Sequence, residues 1–145
     1  MTRGAGPWRE LEVAARAVRS RAYAPYSGYR VGAALRASSG RIFAACNVEN
    51  ASFGLCICAE RSAVAAAVAA GEHAFTHLVV MSDGAPPASP CGMCRQTLAE
   101  FSTSLTIRIT NVLGEGDEVS LRELLPLAFD GQKLKRTNSA RKRRT

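Results

Sequence analysis

Three cysteines and one glutamate carry the chemistry that this sequence can support. Cys58-Ala59-Glu60-Arg61 stands just before an alanine-rich run, and Ser89-Pro90-Cys91-Gly92-Met93-Cys94-Arg95 lies further downstream. If Cys91 and Cys94 occupy the first turn of a helix, both sulfurs fall on one side of it. Unpaired backbone N–H groups and the positive end of the helix dipole favour thiolates there. Cys58, at the start of another helix, gains the same advantage. Should the two helix starts face each other, three sulfurs converge on one point and leave one coordination position open. That is the pattern of a catalytic zinc that activates water, whereas structural zinc sites usually have all four positions filled. Glu60 is too near Cys58 along the chain to be a fourth ligand, but it is well placed to reach a bound water.

Charge arithmetic draws in Arg61. Zinc with three thiolates carries a single net negative charge, which makes a bound water less acidic than a neutral ligand set does. A guanidinium donating to a ligand sulfur offsets part of that charge. Arg61 is the first choice for this task and Arg95 the second. Two blander readings compete: Cys91-x-x-Cys94 as a redox pair, and a purely structural zinc. The redox reading leaves Cys58 and Glu60 without a purpose. Cys56, two residues from Cys58, points to the opposite face of an extended stretch and is read as packing. Cys46 is read as a small buried residue. His73 and His77 follow Gly71, at the far end of the alanine-rich helix, and are not taken as ligands.

The elements that must position these residues follow from periodicity. Residues 8–24 read as a helix, with Trp8, Leu11, Ala15 and Val18 at helical spacing and a stop before Pro25. Residues 31–37 and 41–46 read as an antiparallel hairpin turning at Ser38-Ser39-Gly40. Residues 47–56 form a loop. Residues 58–70 form the second helix, capped by Gly71. Residues 75–82 are a continuous apolar run that suits a buried strand. A Gly/Pro-rich loop delivers the chain to a third helix over 91–101, and 105–110 alternate as a fourth strand. Ser120 and Glu123 make a capping-box pattern before a short helix. Helices following strands imply an α/β layered domain around a mixed sheet.

The 145 residues, 47% hydrophobic and 21% charged, suit one soluble globular domain. No apolar run reaches the ~18 residues of a membrane span, and the first ten residues lack an apolar stretch. An intracellular protein is the expectation. Cysteine usage agrees, because clustered intracellular thiols bind metal or do redox chemistry more often than they form disulfides. The net charge of +7 is not spread evenly. Residues 1–132 balance their Arg against their Asp and Glu, and the excess lies in Lys133, Lys135, Arg136, Arg141, Lys142, Arg143 and Arg144. The expected organisation is a neutral catalytic domain over 1–132 and a basic, disordered tail over 133–145.

At these residues the chain resembles the small, homotetrameric, zinc-dependent cytidine deaminases, over almost everything from Leu11 to Phe129. Zinc deaminases share a His or Cys before a Glu and a later Pro-Cys-x-x-Cys. Here these are Cys58-Ala59-Glu60 and Pro90-Cys91-Gly92-Met93-Cys94. Flanking stretches are similar too: Tyr23-Ala24-Pro25-Tyr26-Ser27, Val31-Gly32-Ala33-Ala34-Leu35, Gly40-Arg41-Ile42-Phe43, Cys46-Asn47-Val48-Glu49-Asn50-Ala51-Ser52 and Glu123-Leu124-Leu125-Pro126. The resemblance implies a three-layer fold with a central mixed sheet of about five strands flanked by helices. It implies one Zn2+ per chain on Cys58, Cys91 and Cys94, and Glu60 as the proton shuttle. It further implies substrate contacts from Asn47, Glu49, Tyr29 and Ala59, with Phe129 reaching a neighbouring subunit's pocket.

Two positions depart from the family pattern. Tyr29-Arg30 stands where Phe-Pro usually precedes the Val-Gly-Ala-Ala strand; a tyrosine still stacks on a pyrimidine, but its hydroxyl then needs a partner. Phe53 stands where a tyrosine usually follows Asn-Ala-Ser. The activity implied is hydrolytic deamination of cytidine, and of 2′-deoxycytidine, in cytoplasmic pyrimidine salvage, by a homotetramer without nucleic-acid or membrane partners. Two rivals remain at this level. One is a polynucleotide deaminase recruited by the basic tail; a carboxylate at Glu49 facing a 3′-hydroxyl would repel a phosphate there. The other is a non-catalytic zinc module, against which an intact Glu60 argues.

Overall fold

The alternation of side chains along two adjacent strands fixes which helix lies on which face. The structure, a computed structural model, describes residues 6–134. The order of elements is α1 (Trp8–Arg19), β1 (Gly32–Ala37), β2 (Ile42–Cys46), a 3-10 turn (Phe53–Leu55), α2 (Ala59–Ala69), β3 (Phe75–Ser82), α3 (Gly92–Ala99), β4 (Thr106–Asn111), β5 (Gly116–Ser120) and α4 (Leu121–Leu124). The strands form one sheet in the order β2-β1-β3-β4-β5. Pairing is antiparallel except between β3 and β4, which run parallel and are joined through α3.

Because successive strand residues point to opposite faces, Ala33, Leu35 and Ala37 of β1 join Leu78 and Val80 of β3 on one side. There they pack against Ala59, Ala63, Val64 and Ala67 of α2 and Leu98 of α3. Ala34, Val79 and Met81 face the other side and meet Leu11 and Ala15 of α1. These are the expected three layers with a five-stranded mixed sheet in the middle. Helix α1 lies so close to β1 that a Cβ on Gly32 would stand 2.0 Å from the Ala15 carbonyl oxygen and 2.8 Å from Arg19 Cβ. At the far end of α2, Gly71 adopts φ +89, a conformation that only glycine takes without strain.

Three expectations need correction. Helix α1 stops at Arg19, short of residue 24, because Tyr23 is claimed by a tertiary pairing. Its N–H donates to the Asn47 carbonyl (3.1 Å), and its own carbonyl accepts the Glu49 N–H (2.8 Å). Helix α3 ends at Ala99, not 101, and Phe101 turns in against Phe75. A fifth strand over Gly116–Ser120 was not among the segments read from periodicity, since Asp117 and Glu118 hide the strand signal. It pairs along β4 as an exposed edge. The capping box is formed: Ser120 Oγ accepts the Glu123 N–H, and Glu123 accepts the Ser120 N–H. Lys133 donates to the Ala128 carbonyl and lies over the Phe129 ring. The rest of the expected tail, 135–145, is outside the described residues. No helix among the described residues is long and apolar enough to cross a membrane.

Candidate active site

Two helix starts meet beside the C-terminal end of β3. Cys58 is the N-cap residue of α2, and Cys91 is the N-cap residue of α3; both have extended backbones that turn into the helix at the next residue. Cys94 lies in the first turn of α3. The sulfurs of Cys58, Cys91 and Cys94 all lie within 4.8 Å of one another, the only such cluster among the described residues. Cys58 Sγ and Cys91 Sγ are 3.8 Å apart. Three sulfurs bound to one tetrahedral zinc at about 2.3 Å stand roughly 3.8 Å from each other, so the donor set fits that ion.

Their electrostatics favour a thiolate before any metal arrives. The Cys58 thiol is lowered to about 5, chiefly by a hydrogen bond from Cys94, with Cys91 and Arg61 assisting against the opposing effect of burial. Cys94 is pushed up by the same bond and by burial. Arg61 lies against the sulfurs of Cys58 and Cys94 and also donates to the Cys56 carbonyl (3.1 Å). Arg95 goes elsewhere, to the carbonyls of Pro90 (2.7 Å) and Leu124 (3.0 Å) and to Ser89 Oγ (2.9 Å). It fastens the loop before α3 to α4 and does not face the sulfurs.

Glu60 is only 5% exposed although it carries a carboxyl group. Burial raises its pKa, and the negative Cys58 raises it further, against the opposing influence of Cys94 and Arg61. A carboxyl whose charged form is disfavoured in this way is suited to taking up a proton and passing it on. It opens into a cavity of about 260 Å³ whose lining includes Tyr29, Asn47, Cys58, Ala59, Val80 and Cys91. A larger open cleft of about 700 Å³, at the start of α1 between Arg9 and Arg36, holds none of these groups.

Asn47 ties the wall of this cavity together. Its Oδ1 accepts the Val31 N–H (2.8 Å), and its Nδ2 donates to the Tyr29 carbonyl (2.8 Å). One amide hydrogen is left for a ligand. Glu49 lines an adjoining hollow with Tyr26, Ser27, Phe53 and Cys56. Its carboxylate accepts the N–H groups of Tyr26 (2.9 Å) and Ser27 (3.2 Å) and the Ser27 hydroxyl. These donors, Ser27 Oγ foremost, hold it below the usual carboxylate range. Cys56 stays apart from the other thiols, its sulfur against the Asn50 backbone. His77 meets Trp8 edge-on, away from the cysteines. Phe129 is exposed and does not line the cavity of its own chain. Val31, Val80, Ser82, Ala88 and Ser89 complete the walls. Nothing in their spacing marks them in advance; only strand register and the loop path bring them there.

Fold and site together define a zinc-binding protein with a layered α/β architecture and a thiolate centre open to a pocket. Comparison with known proteins makes the class specific. Residues 9–109 match the family described as the cytidine and deoxycytidylate deaminase zinc-binding region. The chain is 44% identical to a cytidine deaminase of Sporosarcina psychrophila, over 80% of this chain and 86% of that one. It is 41% identical to a cytidine deaminase of Halalkalibacterium halodurans, over 79% and 87%. The crystal structure of a cytidine deaminase from Burkholderia pseudomallei superposes with a TM-score of 0.80 at 46% identity, covering 83% of this chain and 97% of that one. The chain belongs to the cytidine and deoxycytidylate deaminase family.

Proposed function

We propose that this protein hydrolyses the 4-amino group of cytidine and 2′-deoxycytidine, giving uridine or deoxyuridine and ammonia. The observation that carries the reading is the buried Glu60 carboxyl opening into the same cavity as the sulfurs of Cys58 and Cys91. Cys58, Cys91 and Cys94 hold one zinc, which when bound supplies a Lewis acid that makes water nucleophilic at neutral pH. Glu60 accepts a proton from that water and passes it to N3 of the base, which makes C4 electrophilic. The water oxygen bonds to C4; Glu60 then takes the proton left on that hydroxyl and delivers it to the 4-amino nitrogen, and the C4–N bond breaks as the C4 carbonyl forms and ammonia leaves. Tyr29 and Ala59 contact the pyrimidine, and the remaining amide hydrogen of Asn47 and the Glu49 carboxylate hold the sugar hydroxyls.

Charge and shape support a free nucleoside as substrate. The Glu49 carboxylate is held below its usual range, and a phosphate placed beside it would meet a like charge. Exposed apolar side chains include Tyr26 and Phe53 in the hollow with Glu49, Leu55 and Ile57 on the segment leading to Cys58, Met93 beside Cys94, and Phe129. Such exposure supports assembly with further copies of this chain, and we take the homotetramer as the working state, with Phe129 reaching a neighbour's pocket. Sedimentation giving a monomer at working concentration would overturn it. Residues 1–132 are taken as the catalytic unit, in the cytoplasm and in pyrimidine salvage; a chain truncated after 132 that loses turnover would refute that boundary.

The decisive assay measures ammonia released from cytidine by zinc-loaded wild type and by Glu60→Gln. The variant is expected to keep its zinc and lose turnover by about three orders of magnitude. Wild-type-like turnover in the variant, or none in the wild type, sinks the proposal.

A further inference from the structure

Asp83, the first residue after β3, touches neither the cysteines nor the cavity, yet it links the end of α1 to the segment that leads into β1. One carboxylate oxygen pairs with the Arg19 guanidinium at the end of α1. The other accepts the backbone N–H of Arg30 at 3.4 Å. Arg30 stands between Tyr29 and Val31, both of which line the cavity. This segment precedes β1, and its backbone link to β2's side of the sheet is the Val31 carbonyl, which accepts the Asn47 N–H (3.3 Å). Its inner side is held by the Asn47 amide, and its outer side has the Asp83 carboxylate as its partner. Gly84 then passes beneath the ring: a Cβ there would stand 3.7 Å from Tyr29 Oη and 3.9 Å from Cε2.

The same strand end also braces the opposite wall. Ser82 Oγ accepts the Ala88 N–H (3.3 Å), and Ala88 and Ser89 line the cavity across from Tyr29. Charge reinforces the geometry. Arg30 and Arg16 both press positive charge on Arg19, and Asp83 is the carboxylate that pairs with Arg19. Without it the guanidiniums repel, and the Tyr29–Val31 segment has no anchor on its outer side.

We propose that Asp83 is a positioning residue: by accepting the Arg30 N–H while pinned by Arg19, it sets where the Tyr29 ring stands, and so the width of the slot for the base. This rests on the nucleoside reading above. A displaced wall weakens substrate binding more than it slows the proton transfers at Glu60, which lies on a different element.

The test uses the full-length, zinc-loaded protein with Asp83→Ala, Asp83→Asn, Arg30→Pro and the Asp83→Ala/Arg30→Pro double variant. Asp83→Ala should raise KM for cytidine about 10-fold with kcat within about 3-fold, while Asp83→Asn, which keeps an oxygen acceptor, stays within about 3-fold in both. Arg30→Pro removes the N–H itself, so adding Asp83→Ala to it should raise KM less than about 2-fold further. Hydrogen exchange gives a readout free of substrate: the Arg30 amide should exchange faster in Asp83→Ala while the β3 amides keep their protection. Wild-type KM in Asp83→Ala, additive effects in the double variant, or loss of protection throughout β3 would overturn the proposal. Should Asp83→Ala fail to fold, slowed turnover with unchanged KM in Arg30→Pro would overturn it equally. Wild type that leaves cytidine untouched defeats the nucleoside reading instead, and the Arg30 exchange still separates that failure from failure of the brace.

Discussion

Cys58 and Cys91 bring their sulfurs to 3.8 Å from the N-cap positions of two different helices. Neither residue approaches the other unless α2 and α3 start side by side at one end of the sheet. The metal centre is therefore a product of the whole layered fold, and it stabilises that fold in return. Replacing Cys91 by Ser should abolish stoichiometric zinc, measured by atomic emission on the purified protein. A chelator should lower the melting temperature of the wild type and leave that of the variant unchanged. A variant that retains one zinc per chain would exclude Cys91 as a ligand.

Arg61 faces Cys58 and Cys94, and its charge helps hold Cys58 as a thiolate. Arg61→Gln should weaken zinc about 10- to 100-fold, read by competition against a coloured chelator. Arg95→Gln should leave zinc affinity within about 3-fold, because Arg95 spends its donors on Pro90, Ser89 and Leu124. Equal losses in the two variants would contradict this division.

Glu49 titrates below its usual value of 4.5, owing first to Ser27 Oγ and then to the Tyr26 and Ser27 N–H groups, against burial. A carboxylate whose folded pKa is depressed contributes stability that is present above the unfolded pKa and lost as pH falls through the folded one. Wild type should therefore melt above Glu49→Gln at neutral pH, and the gap should close only as the pH drops below 4.5. A gap that is constant down to strongly acidic pH would show that ionisation of Glu49 plays no part in it.

Gly32 lets α1 rest directly on β1. A methyl group there would stand 2.0 Å from the Ala15 carbonyl oxygen, a backbone atom that cannot swing aside as a side chain could. Gly32→Ala should destabilise the fold by about 1–3 kcal/mol in urea unfolding. An unchanged midpoint would mean that α1 shifts freely.

The two pieces of the site could be read directly because each is local: Cys58-x-Glu60 and Cys91-x-x-Cys94 place their functional groups within one turn of a helix. Strand β3 was equally legible, since its centre, Leu78-Val79-Val80-Met81, is buried on both faces and apolar at each position. Helix α1 was overread because its sequence carries on helically to residue 24, whereas the Tyr23 pairing with Asn47 and Glu49 comes from a distant part of the chain. Strand β5 was missed for the same kind of reason: an acidic edge strand has pairing to declare it, and no pattern.

By itself, then, the order of residues determined the ligand types, the layered α/β class and the family resemblance, and it singled out Glu60 as the candidate acid, all from short-range spacing. Only the tertiary structure decided that Arg61 and not Arg95 faces the sulfurs, and that Asn47 spends most of its amide on the cavity wall. It also decided that Asp83 ties the end of α1 to the segment before β1. Those outcomes depend on which elements lie next to each other, and burial and register across the sheet settle that, not any spacing along the chain.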